Sequence, residues 1–300
     1  MIAWLAVVIA VGEAACAALA ATLQHTTARR SGEATPGSVP TGRLGAFVRH
    51  QLRQPLWWFA QLVQAGALAL HATALQFGPL TLVQPVLAIV VVVALPLNHY
   101  LNRSRITRAE LGWAGLVTAS LACFLLVAAP SLATRPTSSH RLVLAAILVA
   151  LAVVCCIVIA NRGSPKVAAL ALGSASGLAF SMEALLLQAT TTALLRDPLA
   201  ALINPDFYGL LAAGVVGVGL TQLAYRAGPI SAALPAIITV NPLGSVILGV
   251  LVNGEQIRTS PVALAIQVAS FAGLGLAVVA LSRFPGAMSA KNSAEAAGGQ

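Results

Sequence analysis

The sequence predicts an all-α protein: a polytopic membrane helix bundle of about nine transmembrane helices forming an inverted repeat, four helices in one half and five in the other. Three observations lead there. Residues are 58% hydrophobic and 8% charged, with mean hydropathy +0.89, against roughly 25% charged in globular domains. Apolar runs long enough to cross a ~30 Å hydrocarbon core recur along the chain; residues 142–160 carry no polar side chain except Cys155 and Cys156. The chain also resembles itself at a constant offset. Pro55-Leu-Trp-Trp-Phe recurs as Pro205-Asp-Phe-Tyr-Gly, Ala74-Leu-Gln-Phe-Gly-Pro-Leu-Thr as Ala224-Tyr-Arg-Ala-Gly-Pro-Ile-Ser, and Pro85 as Pro235.

In chain order the spans fall near residues 2–24, 56–77, 80–97, 111–129, 142–160, 167–190, 207–224, 230–252 and 262–281. The first reads as a span and not a cleaved leader. It lacks a positive start, Glu13 sits inside it, and its arginines follow the apolar run. Gly78-Pro79 and Gly228-Pro229 each interrupt an apolar stretch too long for one span. Proline cannot continue the hydrogen-bond ladder and glycine tolerates a sharp turn, so both read as tight interhelical corners. The body is a single transmembrane domain over residues 1–282, with repeat one near 1–130 and repeat two near 141–282. Residues 283–300 read as a disordered cytoplasmic tail. The four cysteines lie in apolar segments and read as small buried hydrophobes.

Orientation follows from Lys and Arg, which favour cytoplasmic loops. With the N-terminus outside, every one of the 17 Lys and Arg falls in or beside an inner loop except Arg135, Arg141, Arg196 and Arg258. The net charge of +9 then faces anionic headgroups and requires no nucleic acid. The second span runs inside to outside and its repeat partner, the seventh, outside to inside, which is an inverted repeat. Leu23-Gln-His-Thr-Thr at the end of the first span likewise matches Leu187-Gln-Ala-Thr-Thr at the end of the sixth. Spans one to four thus pair with six to nine, and the fifth is unmatched.

These features resemble the drug/metabolite transporter superfamily, in its EamA-like group of two inverted five-helix halves. The resemblance covers nearly the whole chain. It rests on the Ala-Leu, Gly-Pro and following Pro of the first copy (Ala74 to Pro85), on the matching Gly-Pro and Pro of the second (Ala224 to Pro235), and on Gly254-Glu255 followed by Ile257. The first half departs, reading Asn98-His-Tyr-Leu-Asn-Arg without Gly-Glu, and the span count is nine instead of ten. Nine spans and the run Gly78–Pro85 are similar to the NIPA-type magnesium transporters of the same superfamily. What the resemblance implies is a class, transport of small solutes, and no ligand.

No Walker loop, His/Cys metal spacing or Gly-x-Ser-x-Gly elbow is present, so neither an enzyme nor a resident cofactor or metal is expected. What remains are polar residues at membrane depth. Glu13 lies at the centre of the first span, where an ionised acid costs roughly 2.5–3.5 kcal/mol. Glu183 lies in the sixth span, the repeat partner of the first. Both are candidate proton carriers; the plainer reading is a protonated acid bonding a neighbouring helix. Gln24 shares a helix face with Glu13, and Ser176, Glu183 and Thr190 share one on the sixth span. Such faces suit a polar path. Gly173 and Gly177, one turn apart, would admit another helix closely.

Gln84 precedes Pro85 and Asn241 precedes Pro242, so both stand beside backbone breaks that free a carbonyl. With Gln222 they are substrate-path candidates, interhelical bonding being the plain alternative. His71 is a titratable candidate, or a packing residue. Arg226 replaces Gln76 of the first copy and reads as snorkelling to headgroups, with binding of an anionic substrate as the sharper alternative; Trp57, Trp58, Phe207 and Tyr208 fit an interfacial aromatic belt. Gly78, Pro79, Pro85, Gly228, Pro229 and Pro235 form the corners and hinges.

The functional expectation is a secondary transporter in the plasma membrane of a prokaryote, moving a small solute by alternating access with protons or the solute's own gradient. Its partners are that small-molecule or ion substrate and the lipid bilayer; homodimerisation is left open. Two alternatives stand beside it: a Mg²⁺ or other divalent-cation permease of NIPA type, and a non-transporting membrane partner or assembly protein.

Overall fold

The computed structural model describes residues 3–33, 44–77, 89–101, 106–128, 139–254 and 256–284. Among them there are helices and no strands. The order is α1 (Ala3–Glu33), α2 (Leu44–Leu52), α3 (Pro55–Phe77), α4 (Ile89–Leu101), α5 (Arg108–Ala128) and α6 (Ser139–Arg162). There follow α7 (Pro165–Arg196), α8 (Pro198–Ile203), α9 (Pro205–Ala227), α10 (Ile230–Leu248) and α11 (Pro261–Ser282).

Local chemistry explains the ends. Pro165, Pro205 and Pro261 open α7, α9 and α11 in the first turn, where a missing N–H costs no helix bond. Asn204 and Ser260 cap the last two, accepting from Asp206 N at 3.0 Å and Ala263 N at 3.3 Å. Thr107 caps α5, its Oγ1 accepting from Glu110 N at 3.1 Å. α10 runs through both Pro235 and Pro242, then widens into a π turn (Gly249–Asn253) that Gly254 ends at φ 66°. Only a residue tolerant of the left-handed region closes it there without strain.

The chain is a multi-pass membrane protein. Among the described residues seven helical segments are long and apolar enough to cross a bilayer: Val7–Ser31, Arg108–Ala128, His140–Arg162, Pro165–Leu187, Pro205–Ala227, Ile230–Asn253 and Pro261–Ser282. Ile89–Leu101 is apolar but shorter, and α3 has 23 residues, some of whose side chains lie outside the described residues. The expected nine thus becomes seven with these two beside them. The first corner, Gly78-Pro79, and Pro85 lie outside the described residues, as does the expected tail from 285 on.

α7 is the central helix, with 61% of its membrane window buried, and α6 the most peripheral, with 11%. α7 packs on α9, α10 and α6; α1 packs on α3, α4 and α9; α5 packs on α11. The core is rich in alanine, and bulky Leu62, Leu68, Val215, Val268 and Leu276 face outward, the pattern of a surface solvated by lipid. The Gly173–Gly177 step does admit a helix. A methyl group at Gly173 would stand 2.7 Å from Ala233 O, and one at Gly177 2.8 Å from Val240 Cβ, so α7 and α10 meet backbone to backbone.

The second corner forms where expected. α9 stops at Ala227, Gly228 and Pro229 turn the chain, and α10 starts at Ile230. The reason for glycine differs from the expected one. Gly228 has φ −168°, extended backbone open to any residue. A Cβ there would lie 2.5 Å from Pro165 O and 2.9 Å from Ala169 Cβ, so close approach of α7 excludes a side chain.

Candidate functional site: the polar seam between α1 and α9

Buried polar side chains concentrate where the last turns of α1 and α9 lie together and α2 covers them. Gln51 of α2 donates from Nε2 to Gln222 Oε1 of α9 at 2.8 Å, and Gln222 Nε2 donates to Gln24 Oε1 of α1 at 3.2 Å. All three are buried, at 3%, 5% and 7% exposure. Thr27 Oγ1 lies 3.5 Å from Gln51 Nε2 and donates to the carbonyls of Leu23 and Gln24 at 3.0 Å each. The result is a ladder of three amides across the seam, each rung a neutral hydrogen bond of about 0.5–1.5 kcal/mol net. Gln51 Oε1 has no partner among the described residues.

One helical step on, His25 of α1 donates from Nε2 to Gly228 O at 3.3 Å and stands edge-on to the Tyr225 ring, centroids 5.7 Å apart. With Nε2 donating, Nδ1 is the acceptor of the ring. Asn98 of α4 lies beside the imidazole. Gly228 is therefore gripped twice, by His25 on its carbonyl and by α7 against its Cα. Further out, His99 Nε2 and Glu110 Oε1 pair at 3.2 Å between α4 and α5, both side chains buried.

The sequence-derived candidates divide. Gln222 is the middle rung of the ladder, and Gln24, singled out for sharing a face with Glu13, is its end. Glu13 is buried in α1. Glu183 is half-buried and faces α9, its Oε1 3.2 Å from where a methyl group at Gly214 would stand. Its face-mate Ser176 donates to Gly217 O at 2.9 Å and lies 2.7 Å from Thr221 Oγ1. That face of α7 thus binds the α9 backbone tightly, where the sequence suggested a polar path. Among the described residues α1 and α7 share no extensive contact. Asn241 is half-buried and accepts at its carbonyl from Ser245 Oγ, at 2.9 Å within its own helix. Pro235 is buried inside α10. The side chain of His71, on α3, and the whole of Gln84 lie outside the described residues. A recess between α6, α7 and α10 is lined by Leu148, Val149, Gly244 and Leu248, with Ser181 its polar member; no candidate lines it.

Sequence reasoning missed Gln51, Thr27, His25, Asn98 and the His99–Glu110 pair. α2 lay in what read as an inner loop, yet a signal existed in Leu44, Phe47 and Val48, spaced as one helical face before Arg49. His99 and Glu110 read as loop and loop edge, whereas α4 runs on to Leu101.

Among the described residues no group of three or more His, Cys, Asp or Glu stands ready to hold a metal ion. The arrangement offers amide donors and acceptors and one imidazole acceptor, chemistry for binding, gating or proton relay.

No protein-family model matches the chain, and no solved structure matches it significantly. It is 30% identical over 256 residues to an uncharacterized protein of Corynebacterium glutamicum, a stretch covering 85% of this chain and 86% of the relative. At that identity over nearly the whole length of both, the chain belongs to the same family as this corynebacterial protein.

Proposed function

We propose that the protein is a secondary transporter of a small solute in the plasma membrane, a nine-span member of the drug/metabolite transporter superfamily whose inverted halves rock about the α1–α9 seam. The observation that carries this reading is the amide ladder Gln51–Gln222–Gln24. In a bundle of 58% hydrophobic residues, buried polar side chains are costly and concentrate where motion or substrate requires them. Here they join the two halves end to end, and α2 lies over them.

Helix pairing supports the repeat. α1 packs on α3 and α4, and α4 on α5; α7 packs on α9 and α10, and α10 on α11. The same order thus appears in both halves, with α6 outside it. Counting α3 and α4 with the seven long spans gives nine, an outside N-terminus and an inside C-terminus. The seam then lies at the inner face, closed by the ladder, and on this reading Glu13, further back along α1, couples a proton to movement.

The test is a thermal-shift screen of the purified protein against metabolites, drugs and divalent ions, followed by uptake into proteoliposomes of any compound that stabilises it. A stabilising organic solute that is also moved across the bilayer supports the reading. Stabilisation and uptake confined to Mg²⁺ would replace it with a cation permease. Binding without movement would replace it with a non-transporting membrane partner.

A further inference from the structure

We propose that α2 is an anionic-lipid sensor: its outer face seats on acidic phospholipid headgroups while its inner face holds Gln51 in the α1–α9 seam, so that headgroup binding keeps the inner end of the seam shut. The gating half rests on the transporter reading above; the lipid-binding half does not.

Charge carries the first part. Arg49 lies in the last turn of α2, and Arg53 follows the helix in a turn closed by Arg53 N donating to His50 O at 3.2 Å. Both arginines are exposed while Gln51 between them is buried, so one short helix turns cations outward and an amide inward. Residues 44–54 contain no acid. A basic face without internal neutralisation is complementary to an acidic headgroup layer.

Depth carries the second. Trp58 is 53% exposed, stacks edge-on against Trp57 at 4.9 Å, and donates from Nε1 to Leu52 O at 2.8 Å. An exposed indole whose N–H is held by the end of α2 marks the headgroup boundary. Leu52 and Phe59 beside it in sequence are exposed too. The end of α2 and the start of α3 thus present guanidinium groups and exposed apolar side chains together, the mix that suits a membrane interface.

Coupling carries the third. His50 Nδ1 and Gln54 Nε2 reach Ser31 Oγ at 3.2 and 2.9 Å, tying the end of α2 to the end of α1. α2 cannot lift from the surface without drawing Gln51 from Gln222.

The full chain is placed in nanodiscs of phosphatidylcholine alone or with one quarter phosphatidylglycerol, and hydrogen–deuterium exchange is read in residues 44–54 and 219–228. In the wild type, the acidic lipid should slow exchange in both segments, by on the order of tenfold for two cations at an anionic surface. Arg49→Gln with Arg53→Gln should abolish the slowing, and a control with Arg108→Gln and Arg162→Gln should keep it. Gln51→Leu should keep it in 44–54 and lose it in 219–228. No lipid effect in the wild type, or an undiminished one without the two arginines, overturns the proposal. So does equal protection by inorganic phosphate in neutral discs. Slowing of 219–228 that survives Gln51→Leu overturns the coupling alone. A solute screen that finds nothing leaves these outcomes unchanged, so the two readings fail separately.

Discussion

Gln222 of α9 hands one amide proton to Gln24 of α1 and takes one from Gln51 of α2, so a single side chain bridges two segments far away in sequence. Replacing it with leucine leaves both partners facing an apolar group. Gln222→Leu should lower stability by about 1–3 kcal/mol, read as a lower Tm in detergent, and should speed exchange in residues 44–54. An unchanged Tm and exchange rate would mean that the ladder holds nothing together.

Gly228→Val should prevent accumulation of folded protein, because its branched side chain would enter a space where even Cβ stands 2.5 Å from Pro165 O. Gly228→Ala should already cost about 1–3 kcal/mol through overpacking. Gly219→Ala, with nothing within 4 Å of the added methyl, is the neutral control. Expression and Tm of the three variants check the order.

His99 and Glu110 form a buried pair at 3.2 Å. Removing either partner takes a buried bond from the other, so His99→Leu and Glu110→Leu should each cost about 1–3 kcal/mol. The double variant should cost less than the two added together, by about 0.5–3 kcal/mol of coupling. A thermal-denaturation cycle measures it; strict additivity would make the contact incidental.

Glu13→Gln keeps size and hydrogen-bonding capacity and removes the titrating group. The variant should insert and fold normally yet lose the pH dependence of solute movement in proteoliposomes. Full pH-dependent activity would end the proton-carrier assignment and leave Glu183→Gln as the next variant to assay.

A single cysteine at Arg49, with Cys16, Cys123, Cys155 and Cys156 replaced, should react with an impermeant maleimide only after cells are permeabilised. Reaction in intact cells would invert the orientation and dissolve the inverted repeat with it.

What the sequence revealed follows from the range over which its signals act. Hydropathy reports each span by itself, so α5, α6, α7, α9, α10 and α11 were legible to within a few residues. The close-packing role of Gly173 and Gly177 was legible too, because their spacing is a property of one helix. α2 was not: nine residues ending in Arg-His-Gln-Leu are too short and too polar to read as a span. The ladder was half legible. Periodicity put Gln24 on a polar face, but the partners Gln51 and Gln222 are set by packing between helices that share no local pattern. Gly228 was found for the wrong reason, since its neighbour Pro165 belongs to another helix.

The contact between α7 and α10 also has mechanical meaning. Gly173, Gly177, Ala233 and Ala236 possess no side-chain torsions to reset, so backbone bears directly on backbone. Two helices joined in this way form a stiff beam that tilts as a whole. Flexible glutamines, by contrast, can exchange partners by turning about their χ angles. A bundle that combines the two is stiff where α7 meets α10 and yielding where the last turns of α1 and α9 meet.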